Sequence, residues 1–243
     1  MNKALALIYG VAAYLVFFLT FLYAIGFVGN LVVPKSIDSG PATAASGALF
    51  VNVILLGLFA VQHSVMARQG FKKWWTQFVP EPVERSTYVL IASLLLILLF
   101  WQWRPLSAVV WEVNNVLAKA ILWLLFSAGW TVVLFSTFLI DHFDLFGLRQ
   151  VYLYASGKPY QPHPFQVSSL YKYVRHPLML GFMVAFWATP RLTVGHLLFA
   201  AATTGYTLIA IQIEERDLLV FHGTAYEEYR RQVSMLIPLR RRK

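Results

Sequence analysis

The stretch "LMLGFMVAFWATPRLTVGHLLFAAATTGYTLIAIQI", residues 178–213, carries no acidic residue and only one Lys or Arg, Arg191. About 20 apolar residues suffice to cross the hydrocarbon of a bilayer as a helix. This run is too long for one crossing, and Pro190, Arg191 and Gly195 interrupt it. Proline lacks the backbone N–H and clashes with the preceding turn. The stretch therefore predicts a tight helical hairpin whose first arm, Leu178 to Thr189, is short for a full span.

The rest of the chain has the same character. Four further apolar runs, at about 4–33, 44–66, 86–103 and 116–140, are long enough or nearly so to span. Hydrophobic residues make up 58 % of the 243 positions, against about 45–50 % in soluble domains. The first run is far longer than the roughly 7–15-residue core of a signal peptide, so it is read as a retained span. The expected fold is an all-α polytopic membrane bundle: four spans, a C-terminal membrane-embedded hairpin and a short helix from about Thr224 to Met235. No repeat or linker divides it, so residues 1–243 are expected to form a single membrane domain. Residues 141–177 and 214–243 supply its aqueous segments.

The net charge of +9 would suit nucleic acid only if it were gathered on a basic, aromatic-interleaved face, and no such motif is present. Its distribution is instead a topology signal. If the amino terminus, the 67–85 loop, the 141–177 segment and the 214–243 tail share one side, that side holds 16 of the 20 Lys and Arg residues. Lys35, Arg104, Lys119 and Arg191 are left opposite. The positive-inside bias makes the rich side cytoplasmic, with both termini there. The basic end, Arg240 to Lys243, is expected to meet lipid phosphate.

Polar residues at span ends are costly and are candidates for function. They gather at the same cytoplasmic level. Span two ends in "VQHSVMAR", with His63; span three begins "ERSTYVL", with Arg85 and Tyr88; span four exits as "LIDHFDLFGLRQ", with Asp141, His142, Asp144, Arg149 and Gln150. An acid at a helix carboxyl end opposes the macrodipole, which favours a functional reading of Asp141. His63 reads equally as an interhelical hydrogen bonder, and Trp74, Trp75, Trp101, Trp103 and Trp111 as interfacial aromatics. Arg175 and His176 precede one hairpin arm, while Glu214, Glu215 and Arg216 follow the other. Antiparallel arms would bring these ends together beside an apolar groove. That suits a zwitterionic ligand, and a salt bridge from Arg175 to Glu214 or Glu215 is the structural alternative. Pro177 fits the first helical position, where no N–H is needed.

Zero cysteines exclude disulfides, thiolate metal sites and cysteine nucleophiles. The six histidines form no HExxH pattern and no close pair on one helix face, so no metal is expected. Glycine-rich nucleotide loops of the GxGxxG or Walker type are absent.

"YVRHPLMLG" followed by "EERDLLVFHGTAYEEYRRQVSMLIP" resembles the isoprenylcysteine carboxyl methyltransferase and phospholipid methyltransferase superfamily of membrane enzymes. Leu178 and Met179 stand where that family's motif has x-Tyr. The upstream elements "QHSVMAR", "VERSTYVL" and "DHFDLFGLRQV" look like those of the bacterial methanethiol S-methyltransferases and the related NnrU-type proteins. The resemblance implies S-adenosylmethionine as methyl donor. One wall of its site would be Tyr173, Arg175, His176, Leu180 and Gly181, and the other Glu214, Glu215 and Leu218, with His163 of "QPHPF" closing it. It also implies a bacterial inner-membrane location and a small thiol acceptor, methanethiol or hydrogen sulfide.

A simple thiol is less acidic than cysteine, whose pKa is about 8.5, so a base would assist methyl transfer. His142 oriented by Asp141, or His63, is the candidate, with Tyr88, Arg149 and Gln150 lining the acceptor pocket. A prenyl-cysteine carboxylate or a lipid amine is an alternative acceptor, and a non-catalytic NnrU-like assembly or transport factor is the alternative of a different class.

Overall fold

A computed structural model describes residues 1–41, 43–162 and 165–238. His163 and the basic end at 240–243 lie outside the described residues. The chain order is α1 (Lys3–Gly29), α2 (Ala45–Ala67), α3 (Gln69–Trp75), α4 (Glu81–Gln102), β1 (Val109–Glu112), α5 (Val116–Ile140), α6 (His142–Leu145), α7 (Leu148–Ala155), α8 (Pro177–Trp187), β2 (Arg191–Thr193), α9 (Val194–His222) and α10 (Thr224–Gln232). Among the described residues, five helices (α1, α2, α4, α5 and α9) are long and apolar enough to cross a bilayer. The fold is the expected all-α polytopic bundle. Its only strands among those residues are β1 and β2, which pair with each other.

The chain divides into two compact units. The first comprises Met1–Val110, Asp141–Gln161 and Thr193–Leu197. The side chain of Asn2 caps α1 by accepting from the Ala4 N–H at 2.9 Å. Ala6 and Gly10 keep one face of α1 thin, and Val151 of α7 fills the space they leave. The buried side chain of Asn52 on α2 both donates to the Arg104 carbonyl (2.8 Å) and accepts from its N–H (2.9 Å), tying α2 to the end of α4. Trp103 departs from expectation. It is not an interfacial ring but fully buried, donating its indole N–H to the Ile37 carbonyl at 3.0 Å. The loop after α1 folds back and supplies that acceptor.

Asp141 serves two helices. α5 stops at Ile140, and Asp141 is the N-cap of α6, accepting from the Asp144 N–H at 3.0 Å. Asp141 thus follows the carboxyl end of α5 and also opens the next helix, where acids are favoured. Gly147 then turns the chain at φ +86°, and a Cβ there would sit 2.5 Å from Ser86 Oγ. This glycine lets the α6–α7 turn close onto α4, where Arg85 Nε donates to the Leu145 carbonyl (2.9 Å).

The second unit comprises Trp111–Ile140, Pro162–Leu192 and Leu198–Lys243. Here α5 and α8 pack through Gly129 and Gly181. A Cβ on either would lie 2.8 Å from the other's carbonyl oxygen. Trp130 meets Phe182 and Phe186 edge-on. Phe186 touches Phe199 of α9, and Trp187 donates to Thr204 Oγ1 (2.9 Å), so α8 and α9 form the expected hairpin. Pro177 is the first residue of α8, which at 11 residues is too short to span. α9 is longer than the predicted arm and runs to His222, so Glu214, Glu215 and Arg216 lie within it and not after it. The tail helix α10 ends at Gln232, and the chain beyond it pairs Ser234 with Val174 in a parallel bridge.

Candidate functional site

In the second unit the start of α8 and the end part of α9 meet in a buried polar knot. Arg175 Nε lies 2.7 Å from Glu215 Oε1, and both side chains are buried. The same carboxylate oxygen is 3.1 Å from His176 Nε2. The Arg175 Nη1 donates to the carbonyls of Arg230 (3.1 Å) and Val233 (2.5 Å). The backbone N–H groups of Arg175 and His176 donate to Ser234 (2.8 Å) and Met235 (3.1 Å). One guanidinium thus binds a helix carboxylate and the chain after α10 at once, which a lysine could not do. Glu214 is nearly half exposed, with Oε2 3.7 Å from His176 Nδ1.

A tyrosine layer covers this knot. Tyr229 donates to the Tyr171 carbonyl at 2.7 Å. Tyr226, Tyr229 and Val233 pack with Phe165, Val167 and Leu218. Burial pushes the phenols of Tyr171, Tyr226 and Tyr229 up, that of Tyr229 to about 12. All three therefore keep their protons at neutral pH.

The first unit holds both candidate bases, each beside a tyrosine hydroxyl. His142 is buried, with Nε2 2.8 Å from the Tyr14 hydroxyl of α1. Burial lowers the proton affinity of its imidazole, and the Asp141 charge partly opposes this. His63 of α2 has its ring nitrogens 2.9 and 3.0 Å from the Tyr88 hydroxyl of α4. Between them lie stacked Phe17 and Phe146, with centroids 3.8 Å apart. Phe146 also meets His142 edge-on, and it packs with Phe17 against Tyr88.

Asp144 organises the segment after α5. It accepts from Arg149 Nη1 (3.0 Å), Gln150 Nε2 (3.3 Å) and the Tyr160 hydroxyl (3.2 Å). Arg149 also donates to the Gln161 carbonyl (3.0 Å). Asp144, Gln150 and Tyr160 join Lys72, Glu84 and Arg85 in lining a cavity of about 620 Å³. Burial and the nearby Arg85 lower the Lys72 pKa.

Residues 51–217 match the family model described as NnrU protein. The chain belongs to the NnrU family.

Three named relatives are similar over most of their length. A Mycobacterium tuberculosis protein named methanethiol S-methyltransferase is 60 % identical over 238 residues, covering 98 % of each chain. A Bradyrhizobium diazoefficiens protein named methanethiol S-methyltransferase 1 is 59 % identical, over 98 % of this chain and 84 % of its own. One from Crocosphaera subtropica with the same name is 55 % identical, over 98 % and 93 %. No solved structure matches the chain.

The NnrU match takes in the Arg175–His176 and Glu214–Glu215 pairs and stops before α10. Of the residues expected to form the donor walls, Arg175, His176, Glu214 and Glu215 come together, with Leu218 in the adjoining tyrosine layer. Tyr173 is largely exposed. Gly181 is buried against Gly129 and Val133 of α5, so its place is a helix contact. Tyr14 and Tyr226 were not anticipated. Tyr14 is one of several hydroxyl residues in the apolar helix α1, so only the fold singles it out, whereas the tyrosine spacing in "GTAYEEY" was the signal for Tyr226.

Proposed function

We propose that this NnrU-family protein is a multi-pass membrane enzyme that transfers a methyl group from S-adenosylmethionine to methanethiol, giving dimethyl sulfide. The observation that carries the reading is the near full-length identity to proteins named methanethiol S-methyltransferase. The chemistry of the second unit's knot fits the donor. Buried Arg175 and Glu215 fix the backbone, Glu214 offers a partly exposed carboxylate, and Tyr226 holds a buried hydroxyl on α10, the helix whose Arg230 carbonyl Arg175 binds.

When bound, S-adenosylmethionine supplies an electrophilic methyl group on a sulfonium. The residues of the chain bind, orient and dehydrate. Glu214 would accept hydrogen bonds from the donor's hydroxyls or ammonium, with Arg175 and His176 holding Glu215 and the chain after α10 in place. Leu180 and Leu218 would give it an apolar edge. His142, neutral at neutral pH because it is buried, accepts the thiol proton, with Tyr14 orienting its ring and Asp141 stabilising the imidazolium. His63 is the second candidate for that role, and Tyr88, Arg149 and Gln150 shape the acceptor side. Positioning and exclusion of water supply most of the acceleration in such a displacement. The Lys- and Arg-rich side is cytoplasmic in the bacterial inner membrane.

Purified protein given S-adenosylmethionine and methanethiol is expected to release dimethyl sulfide, read by gas chromatography of the headspace, with one S-adenosylhomocysteine formed per product. Binding of S-adenosylhomocysteine without any dimethyl sulfide would reject the thiol acceptor and leave the donor. The same assay with a prenyl-cysteine substrate would then identify the carboxylate alternative.

A further inference from the structure

Tyr226 is 2 % exposed, and its hydroxyl has no hydrogen-bond partner among the described residues. Its neighbour Tyr229 packs edge-on against it and spends its own hydroxyl on the Tyr171 carbonyl. Phe165 closes another side of the Tyr226 ring. A phenylalanine would satisfy this packing equally well, and without a hydroxyl to bury, so packing alone does not account for the oxygen. Its ring sits among apolar side chains, but α10 is tied to the knot one turn on, where Arg175 Nη1 holds the Arg230 carbonyl, and the charges of Glu215, Arg175 and Glu214 reach the phenol. Burial keeps the phenol protonated, leaving it a hydrogen-bond donor. Glu215 is already engaged by Arg175 and His176 through one oxygen.

We infer that the Tyr226 hydroxyl is a donor-binding group, giving its hydrogen bond to an acceptor atom of the nucleoside-containing methyl donor. This rests on the donor reading above. It separates the two carboxylates and the two tyrosines by task. Glu215 and Tyr229 hold the fold of the knot, whereas Glu214 and Tyr226 face the ligand. Placing the group on α10, just after the long helix α9, also makes the tail part of the binding site.

The test is calorimetric binding of S-adenosylhomocysteine to the detergent-purified full chain, paired with its apparent unfolding temperature without ligand. Y226F is expected to bind about 5–10-fold more weakly, the loss of one hydrogen bond, while unfolding at the same temperature as wild type or higher. Y229F is expected to show the opposite pattern, unfolding earlier with its affinity little changed. Equal affinity for Y226F and wild type overturns the inference and leaves the donor reading intact. So does a Y226F protein that unfolds earlier and loses affinity only in proportion to Y229F. A wild-type protein that does not bind S-adenosylhomocysteine overturns both.

Discussion

Arg175 Nε and Glu215 Oε1, from residues 40 positions apart, stand 2.7 Å from each other with both side chains buried. The pair locks the start of α8 to α9. Through Nη1, Arg175 also holds the carbonyls at Arg230 and Val233. The α9 carboxylate and the two carbonyls at the end of α10 are thus joined through the planar fork of a single side chain.

Arg175→Ala is expected to cost about 3–5 kcal/mol, because it leaves the Glu215 carboxylate buried without its main partner. Arg175→Lys should recover little of this, since an ammonium cannot reach the carboxylate and two carbonyls together. Denaturation in detergent measures both. A lysine variant as stable as wild type would show that only the charge matters.

The buried His142 imidazole has a pKa lowered from its usual value of about 6.5. Its ring is neutral at neutral pH, so with His142 as the proposed base dimethyl sulfide formation should hold there and fall as pH drops through the lowered value. Stability follows the same sign. The unfolded imidazole takes its proton first, so the contribution of His142 is present above about 6.5 and is lost on acidification toward the folded pKa. His142→Ala should lower kcat by about 10²–10⁴-fold and remove the acid limb. A rate profile unchanged in H142A transfers the role to His63.

Gly181→Ala should destabilise, because the new methyl would lie 2.8 Å from the Gly129 carbonyl and 2.9 Å from the Val133 nitrogen. Forcing α5 and α8 apart costs about 1–3 kcal/mol. Gly57→Ala is the contrasting case. It lies within α2 with nothing inside 4 Å of the added carbon, so the helix should gain about 0.5–1 kcal/mol. Unfolding temperatures that move together in the two variants would contradict the close α5–α8 contact.

Asn52→Leu preserves size but strands the Arg104 N–H and carbonyl that the amide now satisfies. A loss of about 1–3 kcal/mol per stranded group is expected. Asn52→Asp keeps the acceptor and loses only the donor, so it should retain more of the α2–α4 connection than Leu unless the new charge remains ionised. Hydrogen exchange at the Arg104 amide separates these outcomes.

The spans and the hairpin were legible because hydrocarbon thickness imposes a length and an apolarity that side chains cannot disguise. Val116–Ile140 was read at the bounds the structure has. The motif residues Arg175, His176, Glu214 and Glu215 were legible by resemblance and by the folding-back of the chain at Pro190. What failed were assignments that depended on direction. Trp103 looked interfacial because aromatic residues at span ends commonly are, but the loop that buries it comes from residues far earlier in the chain. Asp141 does follow the last residue of α5, but its second role as the N-cap of α6 depends on a turn that the sequence does not mark.

Composition and apolar run length by themselves determined that this chain is a helical membrane protein, since lipid leaves the backbone no other way to satisfy its hydrogen bonds within a segment of this kind. Only the tertiary structure decided which polar groups meet: that Glu215 is consumed by Arg175 and His176 while Glu214 stays partly exposed, that Tyr14 reaches His142, and that Gly181 serves a helix contact. The reason is geometric. Neighbouring positions on a helix point about 100° apart, so adjacent residues of the same type take different partners, and those partners come from distant parts of the chain.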